Sequence, residues 1–514
     1  MPTEARIRQA IIGVSGIAIL SKLLGFLREM VIAERFGTSR QYDILLIGIA
    51  APIFFNLVLV NATNFLVVPF LSKKMSQESN SGWRSFWSLA NSLLIIVILL
   101  VLAIIAAAPL LVKIVGPSLA GDDLQNGIFY CRIISLLVLL GFLESLFRSA
   151  LNVRKEFVYP AAGSIILNVI AISAIYLFSG SMSVMAILIG LLVGSFCQVL
   201  FLFLKLLGFK VTRYFHLTLF DADARGLLAV GGMIIIVELI SRTYFLIDRF
   251  YASDLAPGVV SALNYGSLLV MLPVSVAGLA IANVTFPYLS DRLHGNQPGR
   301  FAELLRSTIQ LSLVIGVPCG IFYLFFAREL TAAVFLRGAF DLESLAMTSR
   351  LLVFLVPHLV SLFFYSLLMQ ACYASGRQRY VLAIAAVAVI LKFGLTGLFK
   401  GMLDYPGIAL ATSVVEVLTL GMLMLVLARD GQIAGVRTHL LVSGKVALAS
   451  LPMAAIGYYY KNLPDFSVGL SLISRFRIIP AFILSATGFV IIGYLTRIPE
   501  IKDLVDSVWR KWRA

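Results

Sequence analysis

Charged side chains are scarce in this sequence. Asp, Glu, Lys and Arg make up 13% of its 514 residues, whereas about 25% is usual for a soluble protein. Hydrophobic residues make up 60% and the mean hydropathy is +0.97. This composition excludes an ordinary soluble globular protein and predicts an all-α chain that crosses a membrane many times.

Cysteine and histidine are also few, with four of each. The cysteines lie far apart, and no spacing typical of a metal site or a disulfide framework occurs. The sequence has no G-x-x-x-x-G-K-[ST], H-E-x-x-H or G-x-S-x-G motif, so the usual parts for ATP hydrolysis, zinc hydrolysis and serine acyl transfer are missing. We therefore expect no metal, no organic cofactor and no enzymatic activity.

Positive charge is in excess, because 41 Lys and Arg residues oppose 26 Asp and Glu residues and give a net charge of +15. In a soluble protein such an excess would suggest nucleic acid as a partner. Here the cations cluster in alternate loops between apolar runs, as the positive-inside rule describes. We expect no nucleic-acid partner and predict that both termini are cytoplasmic.

Apolar runs long enough to span a bilayer number about fourteen. They cover residues 10–35, 43–70, 85–113, 127–152, 158–179, 183–208, 226–250, 259–287, 305–327, 344–374, 379–399, 406–428, 439–460 and 477–496.

An internal repeat relates the two halves of the chain at an offset of about 220 residues. The motif VPFLS at 68–72 recurs as FPYLS at 286–290, each at the end of a predicted helix. The repeat predicts two six-helix bundles of the same orientation, a parallel arrangement found in transporters that bind substrate between the halves. The predicted parts are a first bundle, a cytoplasmic linker, a second bundle, and two extra helices with a basic tail: 1–213, 214–225, 226–430 and 431–514.

The first predicted helix has an unusual polar face. Lys22, Arg28 and Glu29 fall on the same side as Gly25 when residues are spaced 100° apart. A cation inside a membrane is costly and normally faces a bundle interior or a wet cavity. One interpretation is a cationic wall for an anionic substrate, and the other is a structural ion pair of Arg28 with Glu29 or Asp43.

Other polar residues lie inside predicted spans. Glu238 and Arg242 are four residues apart and either pair with each other or face a cavity. Glu416 lies alone in mid-span, as a proton or cation site or as a hydrogen-bonded structural carboxylate. Asn56 and Asn61 either line a cavity or join helices. The candidates for gating or ion coupling are the charged residues Glu29, Glu238, Arg242 and Glu416.

Glycine and proline supply candidate hinges in these helices. Pro52 and Pro273 interrupt predicted spans in corresponding parts of the two halves, and Gly25 lies beside the charged face of the first helix. Proline in a membrane helix frees backbone groups and permits bending. The sequence predicts hinge-like movement at these three positions.

Several motifs carry a family likeness. SKLLGFLRE at 21–29, with Phe36-Gly37 and Tyr42-Asp43 after it, resembles the first-helix signature of the MurJ/MviN family. FLRGAFD at 335–341 is similar to the family's loop after the ninth helix, and YASG at 373–376 to the end of its tenth. The likeness covers about residues 10–430. These proteins are lipid II flippases of the multidrug/oligosaccharidyl-lipid/polysaccharide exporter superfamily.

The resemblance implies a function as well as a fold. It implies a monomer in the bacterial cytoplasmic (inner) membrane that moves an undecaprenyl-pyrophosphate-linked saccharide by alternating access, for peptidoglycan synthesis, cell-wall biogenesis and cell shape. Membrane lipid and envelope-synthesis proteins are the implied partners, and the membrane potential or a monovalent cation is the implied driving force. By position, Lys22, Arg28 and Asp43 match functional residues of the family.

The sequence departs from the family pattern at several positions. Asn56 stands where the family has an arginine, Asn61 where it has a glutamate, and Ser267 and Leu268 where it has an Asp-Arg pair. These changes leave other functions open. They are a flippase for another polyprenyl-linked saccharide in exopolysaccharide or O-antigen export, a multidrug or cation antiporter, a membrane glycosyl polymerase and a non-transporting scaffold.

Overall fold

The chain is described by a computed structural model that covers nearly all of it. The described residues are 4–77, 79–209, 211–214, 218–219, 222–278, 281–282, 284–285, 288–289, 291, 298–429, 436–461 and 478–513. Their α-helices are α1 (Glu4–Phe36), α2 (Arg40–Gly48), α3 (Ala50–Gln77), α4 (Ser79–Val115), α5 (Gly121–Ile134), α6 (Leu136–Val153), α7 (Val158–Met182), α8 (Met185–Gly208), α9 (Ala222–Ala252), α10 (Val259–Pro273), α11 (Pro298–Phe335), α12 (Leu342–Phe354), α13 (Val356–Ala374), α14 (Gln378–Leu403), α15 (Tyr405–Arg429), α16 (Val436–Ala449), α17 (Leu451–Lys461), α18 (Ile478–Leu495) and α19 (Pro499–Arg513).

The helices correspond to the predicted membrane spans. Among the described residues, 12 helical stretches are long and apolar enough to cross a membrane. Helices α1 and α9, with 33 and 31 residues, also exceed the roughly 20 residues that a span requires. Together these fourteen stretches match the fourteen predicted segments, and no strand occurs within the described ranges. The predicted all-α membrane fold is confirmed.

Four of the predicted spans are broken in two, and a proline follows three of the breaks, whereas the break at Ser135 between α5 and α6 has none after it. Pro52, Pro357 and Pro452 lie in the first turns of α3, α13 and α17. Proline has no N–H to bond the carbonyl four residues earlier, so it ends one helix and suits the start of the next. Pro273 instead ends α10, and a π-helical turn, Val274–Gly278, follows it. Hinge movement at these prolines stays a prediction.

The repeat is visible in the backbone. Lys155 and Gly376, about 220 residues apart, both have positive φ, 63° and 70°, and each donates its amide to the third carbonyl upstream. Ser183 and Asp404 have φ of 50° and 61°, and each donates to the fourth carbonyl upstream. Matching irregularities at matching offsets are not a consequence of helical propensity, so they confirm the predicted repeat.

The chain forms two compact units, residues 1–261 with 337–340 and residues 262–336 with 341–514. Each has its own buried aromatic core, with Phe86 and Phe142 in the first and Phe363 in the second. Helix α9 packs against α3 and α4 and so belongs to the first unit, although it opens the second half of the sequence repeat.

The predicted domain boundaries thus differ from the compact units. The division at 213, 225 and 430 stays a prediction about the repeat. Within the predicted linker, residues 215–217 and 220–221 lie outside the described residues, as do 286, 287 and 290 of the repeated motif.

A close backbone contact joins the end of α1 to residues 337–340 of the first unit. The amide of Ala339 donates to the carbonyl of Glu34 at 2.7 Å. Gly338 has φ of +54°, and a Cβ there would lie 2.3 Å from the Glu34 carbonyl oxygen. Gly37 has φ of +51°, and a Cβ there would lie 2.2 Å from the Ala339 carbonyl oxygen. Both glycines are required by backbone angle and by space.

We predict that Gly338→Ala destabilises the protein by about 3 kcal/mol, because left-handed strain and a backbone clash add together. Gly376→Ala is the matched control, since φ there is +70° with nothing within 4 Å of the added Cβ. The control should cost only about 1 kcal/mol. Thermal unfolding midpoints in detergent measure both, and equal decreases would contradict the close-contact argument.

Candidate functional site

The first unit contains a polar cavity of about 450 Å³. It lies among α1, α3, α6, α7 and α8, which are mostly apolar helices. Its polar lining comprises Arg28, Asn56, Glu144, Arg148, Ser164, Asn168, Ser195 and Gln198. Polar and charged groups inside membrane helices are expensive unless they face such a cavity or one another.

Arg28 of α1 is paired with its neighbour in sequence. Its Nη2 lies 2.7 Å and its Nε 3.2 Å from Oε1 of Glu29, and its Nη1 donates to Oδ1 of Asn168 at 3.3 Å. The side chain of Arg28 is 22% exposed. The structural ion pair, one of the two interpretations of the polar face of this helix, is therefore present between Arg28 and Glu29. A guanidinium has five N–H donors, so Arg28 retains donors beyond these three bonds.

A second ion pair faces the same cavity from α6. Glu144 is 7% exposed and accepts hydrogen bonds from Nε of Arg148 at 2.8 Å and from Nε2 of Gln198 at 3.1 Å. Glu144 and Arg148 are one helical turn apart, so their side chains meet on one face. Glu144 therefore keeps its charge balanced although it is buried.

Neutral polar groups link the two ion pairs. Asn168 of α7 donates to the carbonyl of Ser164 at 2.9 Å, and Gln198 of α8 reaches the Ser164 hydroxyl at 3.5 Å. The chain of contacts thus runs from Arg28 through Asn168, Ser164 and Gln198 to Glu144. Two cations and two carboxylates balance, so the cavity is polar without net charge. It can bind polar groups and water through amide, hydroxyl and guanidinium hydrogen bonds.

Asn56 also lines this cavity from α3. Its Oδ1 is buried and has no hydrogen-bond partner among the described residues. A Cβ on Gly141 would lie 1.9 Å from that oxygen, so α3 and α6 approach closely only because Gly141 has no side chain. Gly25 borders the cavity as well, and a Cβ there would lie 3.7 Å from Asn168, which is ordinary contact.

Lys22 does not line the cavity and is exposed. It lies about 120° around α1 from Arg28, so the two cations point in different directions. The predicted polar face is therefore wider than a single binding wall.

Asn61, Glu238 and Arg242 form a second polar contact in the first unit, between α3 and α9. Nδ2 of Asn61 donates to Oε2 of Glu238 at 2.9 Å, and Nε of Arg242 lies 3.5 Å from the same oxygen. Of the two interpretations, the pair of Glu238 and Arg242 within one helix is present, and Asn61 contacts it from the neighbouring helix.

Asp43 has a structural setting. Its carboxylate is 2% exposed and accepts hydrogen bonds from the amides of Gly258 and Ser261, at 2.5 and 2.8 Å, and from the Ser261 hydroxyl. Hydrogen bonds to a charged carboxylate are stronger than those between neutral groups, so several of them hold the two segments together firmly. These bonds fix residues 258–261 against α2 and occupy the carboxylate that the family resemblance makes a functional residue.

We predict that Asp43→Asn lowers the unfolding midpoint strongly. The amide NH₂ would face a backbone N–H, and the loss of a charge-assisted bond and of a satisfied donor costs about 2–3 kcal/mol each. Asp123→Asn is the control, because Asp123 is half-exposed and pairs with Arg40 at 3.0 Å. Exposed pairs contribute about 0–1 kcal/mol. Similar losses in both variants would contradict this assignment.

The second unit carries its own buried charges. Lys392 of α14 is fully buried and its Nζ donates to the Thr412 hydroxyl of α15. Glu416, also on α15, is 8% exposed, and its Oε2 has no hydrogen-bond partner among the described residues. Glu416 follows Thr412 by one helical turn, so the two side chains lie on the same face of α15.

Sequence reasoning missed the neutral members of the cavity. Ser164, Asn168 and Gln198 lie in strongly apolar helices, and the available signal was only that amides and hydroxyls in membrane helices tend to bond across helices. Glu144 and Arg148 were recognisable as a pair from their spacing, but nothing in the sequence indicated that they share a cavity with Arg28.

The model of one protein family, lipid II flippase MurJ, matches residues 32–476. The match covers most of the chain. The chain belongs to the MurJ family. This confirms the likeness indicated by the motifs of the first helix and of residues 335–341.

Curated relatives carry the same family name at low identity. Lipid II flippase MurJ of Burkholderia cenocepacia is 25% identical over 437 residues, which cover 82% of this chain and 84% of the relative. Probable lipid II flippase MurJ of Rickettsia prowazekii is 23% identical over 461 residues, which cover 86% and 89%. The similarity therefore extends over both halves of the repeat.

Solved structures show the same fold. An inward closed conformation of lipid II flippase MurJ has a TM-score of 0.79 at 21% identity and covers 96% of this chain and 100% of that one. An inward-facing multidrug resistance MATE family transporter has a TM-score of 0.66 at 13% identity and covers 82% and 99%. The fold is therefore shared with transporters of the MOP superfamily, whose members differ in what they carry.

Proposed function

We propose that this chain is a flippase that moves lipid II, the lipid-linked peptidoglycan precursor, across the bacterial cytoplasmic membrane. Family membership over residues 32–476 carries the proposal. The protein acts as a monomer by alternating access, with both termini in the cytoplasm, and catalyses no covalent chemistry. The membrane potential or a cation gradient drives it, since the sequence has no ATP-binding motif.

Arg28 is the residue that we assign to the pyrophosphate. Its side chain borders the cavity and keeps N–H donors beyond those bound to Glu29 and Asn168. A guanidinium binds phosphate oxygens with paired, charge-assisted bonds. Because Glu29 already neutralises Arg28, a pyrophosphate competes with that carboxylate rather than meeting an unbalanced cation. Glu29 thus adjusts the affinity, and exposed Lys22 attracts the anion at longer range.

We predict that Arg28→Ala lowers the flipping rate at least about tenfold, because a hydrogen bond between charged groups contributes about 1.5–3 kcal/mol. Arg28→Lys should lie in between, since it keeps the charge and loses the planar fork. The assay follows a fluorescent polyprenyl-pyrophosphate saccharide in vesicles that contain the purified protein.

Arg35→Ala is the matched control for this assay. Arg35 lies on the same helix, but its guanidinium stacks over the Tyr176 ring at 4.6 Å instead of lining the cavity. It should flip at close to the wild-type rate. Wild-type flipping by Arg28→Ala, or an equal loss in both variants, would remove Arg28 from the binding role.

A flippase for another polyprenyl-linked saccharide is the second candidate. Asn56, Ser267 and Leu268 favour it, because the resemblance leads us to expect charged residues at these positions. Pyrophosphate and the polyprenyl chain are common to both classes of substrate, so the difference lies in recognition of the sugar.

Complementation decides between the two candidates. We predict that the chain restores growth to cells depleted of their own lipid II flippase, because the lipid-linked pyrophosphate is recognised through Arg28. Arg28→Ala, produced at the same level in the membrane, should fail to do so. No rescue by the wild-type chain, together with flipping of a different lipid-linked saccharide in vesicles, would favour the second candidate.

A further inference from the structure

Glu144 presents one of its two carboxylate oxygens to the polar cavity of the first unit. Its side chain is only 9% exposed. The hydrogen bonds that it accepts within the described part of the chain, two from Arg148 and one from Gln198, all end on Oε1. Oε2 accepts none of them and is not sealed away from the cavity that Glu144 lines. A nearly buried carboxylate thus keeps an acceptor available to a ligand in the cavity.

Gln198 offers a second acceptor beside Glu144. It is 4% exposed, and its Nε2 donates to Glu144 at 3.1 Å and to the Ser164 hydroxyl at 3.5 Å. The neighbouring carboxylate determines this orientation, because only the NH₂ group of the amide can donate to it. The carbonyl oxygen Oε1 accepts no hydrogen bond from a described residue and stays open to the cavity.

The hydrogen-bonding groups therefore differ between the two ends of the cavity. At the Arg28 end, they are the N–H donors of a guanidinium, whereas at the Glu144 end two acceptor oxygens are available. Asn168 and Ser164 lie between the ends, because Asn168 accepts from Arg28 at 3.3 Å and donates to the Ser164 carbonyl at 2.9 Å. Ligand pockets usually have volumes of roughly 300–1,000 Å³, and this cavity has about 450 Å³. A matching ligand carries acceptors at one end and donors at the other.

Charge narrows the kind of group that suits the Glu144 end. Arg148 pairs with Glu144, so the two side chains together have no net charge. An anionic group there would face the open oxygen of a carboxylate, and a cationic group would face the guanidinium of Arg148. A neutral group with O–H or N–H donors meets neither penalty. Hydroxyl and acetamido groups of a sugar have this chemistry.

We propose that Glu144 and Gln198 recognise the sugar that is joined directly to the pyrophosphate of the substrate. This sugar is bonded to the terminal phosphate, so the two groups are neighbours and can share one cavity. Pyrophosphate oxygens accept from Arg28, and the sugar donates to Oε2 of Glu144 and Oε1 of Gln198. Arg148 is a positioning residue that holds the carboxylate. This assignment rests on the proposed function, because it needs a lipid-linked saccharide as the substrate.

The first test compares the binding of two probes to the purified full-length protein in lipid nanodiscs. The probes are lipid II and undecaprenyl pyrophosphate, which share the lipid and the pyrophosphate and differ in the saccharide. We expect the wild type to bind lipid II at least about tenfold more tightly, because hydrogen bonds to a charged acceptor contribute that much. In Glu144→Gln, the two affinities should lie within about twofold of each other. Equal binding of both probes by the wild type, or an unchanged ratio in Glu144→Gln, overturns the proposal.

Three further variants separate recognition of the sugar from other effects. Arg28→Ala should weaken the binding of both probes by the same factor, because Arg28 contacts the pyrophosphate that they share. Glu156→Gln is the matched control and should leave both affinities unchanged, since Glu156 lies between α6 and α7 and does not line the cavity. Gln198→Met introduces no charge and should lower the ratio. It decides the question if Glu144→Gln does not fold.

The second test changes the charge of the sugar. Vesicles that contain the protein are supplied with fluorescent polyprenyl-pyrophosphate lipids that carry either N-acetylglucosamine or glucuronic acid. We expect the wild type to flip the neutral sugar at least about tenfold faster, because the carboxylate of the acidic sugar would face Glu144. Glu144→Gln should reduce this preference. Equal rates for the two sugars in the wild type would contradict the assignment.

The outcomes distinguish this inference from the proposed function. A wild type that binds and flips lipid-linked pyrophosphates without regard to the sugar is still a flippase and refutes the inference alone. A wild type that neither binds nor flips them refutes both. Displacement of lipid II by the cation tetraphenylphosphonium, lost in Glu144→Gln, would identify a cation site and overturn the inference.

Discussion

The balance of charge inside apolar helices is the constraint on which the rest of this structure depends. A lipid environment offers no water to an isolated ion, so each buried charge must find its partner within the chain. Arg28 meets Glu29, Arg148 meets Glu144, and Asp43 receives three donors from residues 258–261. These ion pairs and hydrogen bonds require certain helix faces to lie inside the protein, and the apolar side chains of each helix pack around them.

Backbone polarity imposes a parallel constraint. A membrane helix that stops must still satisfy its amides and carbonyls, and the chain solves this problem in the same way twice. The left-handed residues Lys155 and Gly376 redirect the chain after corresponding helices, and Ser183 and Asp404 do so one helix later. In the first of these pairs, position 376 has glycine, the residue best suited to positive φ, and position 155 has lysine. The backbone geometry is therefore the same in both halves although the residue type differs.

The sequence predicted the spans well because one physical quantity decides them. About 20 consecutive apolar residues are needed to cross a bilayer, and such runs are visible without any knowledge of contacts. It also gave a Glu238–Arg242 pair as one of two interpretations, because spacing along one helix is sufficient to bring the two side chains together. Local rules of this kind hold where the partner lies within one turn.

The members of the candidate site were predictable only in part, because their partners are distant in sequence. Arg28 was identifiable as a charge in an apolar run, but its contact with Asn168 lies 140 residues away. The bonds from Asp43 to Gly258 and Ser261 span more than 200 residues. No periodicity encodes such contacts, so the family resemblance implied a functional role for Asp43 while nothing in the sequence indicated its structural bonds. Family membership similarly identifies a fold and a class of substrate, but it does not say which side chains contact each other.

Charge neutrality of the cavity also bears on how a flippase can release what it binds. A cavity lined by unbalanced cations would hold a pyrophosphate tightly and turn over slowly, since binding that is too favourable prevents exit. When Glu29 and Glu144 already neutralise the two arginines, an anion gains only the difference between its own contacts and those of the carboxylates that it displaces. The same carboxylates would pair with the arginines again when such an anion leaves. Paired charges therefore suit a protein that must bind and release its substrate in one cycle, and the loss of further arginines from the family pattern acts in the same direction.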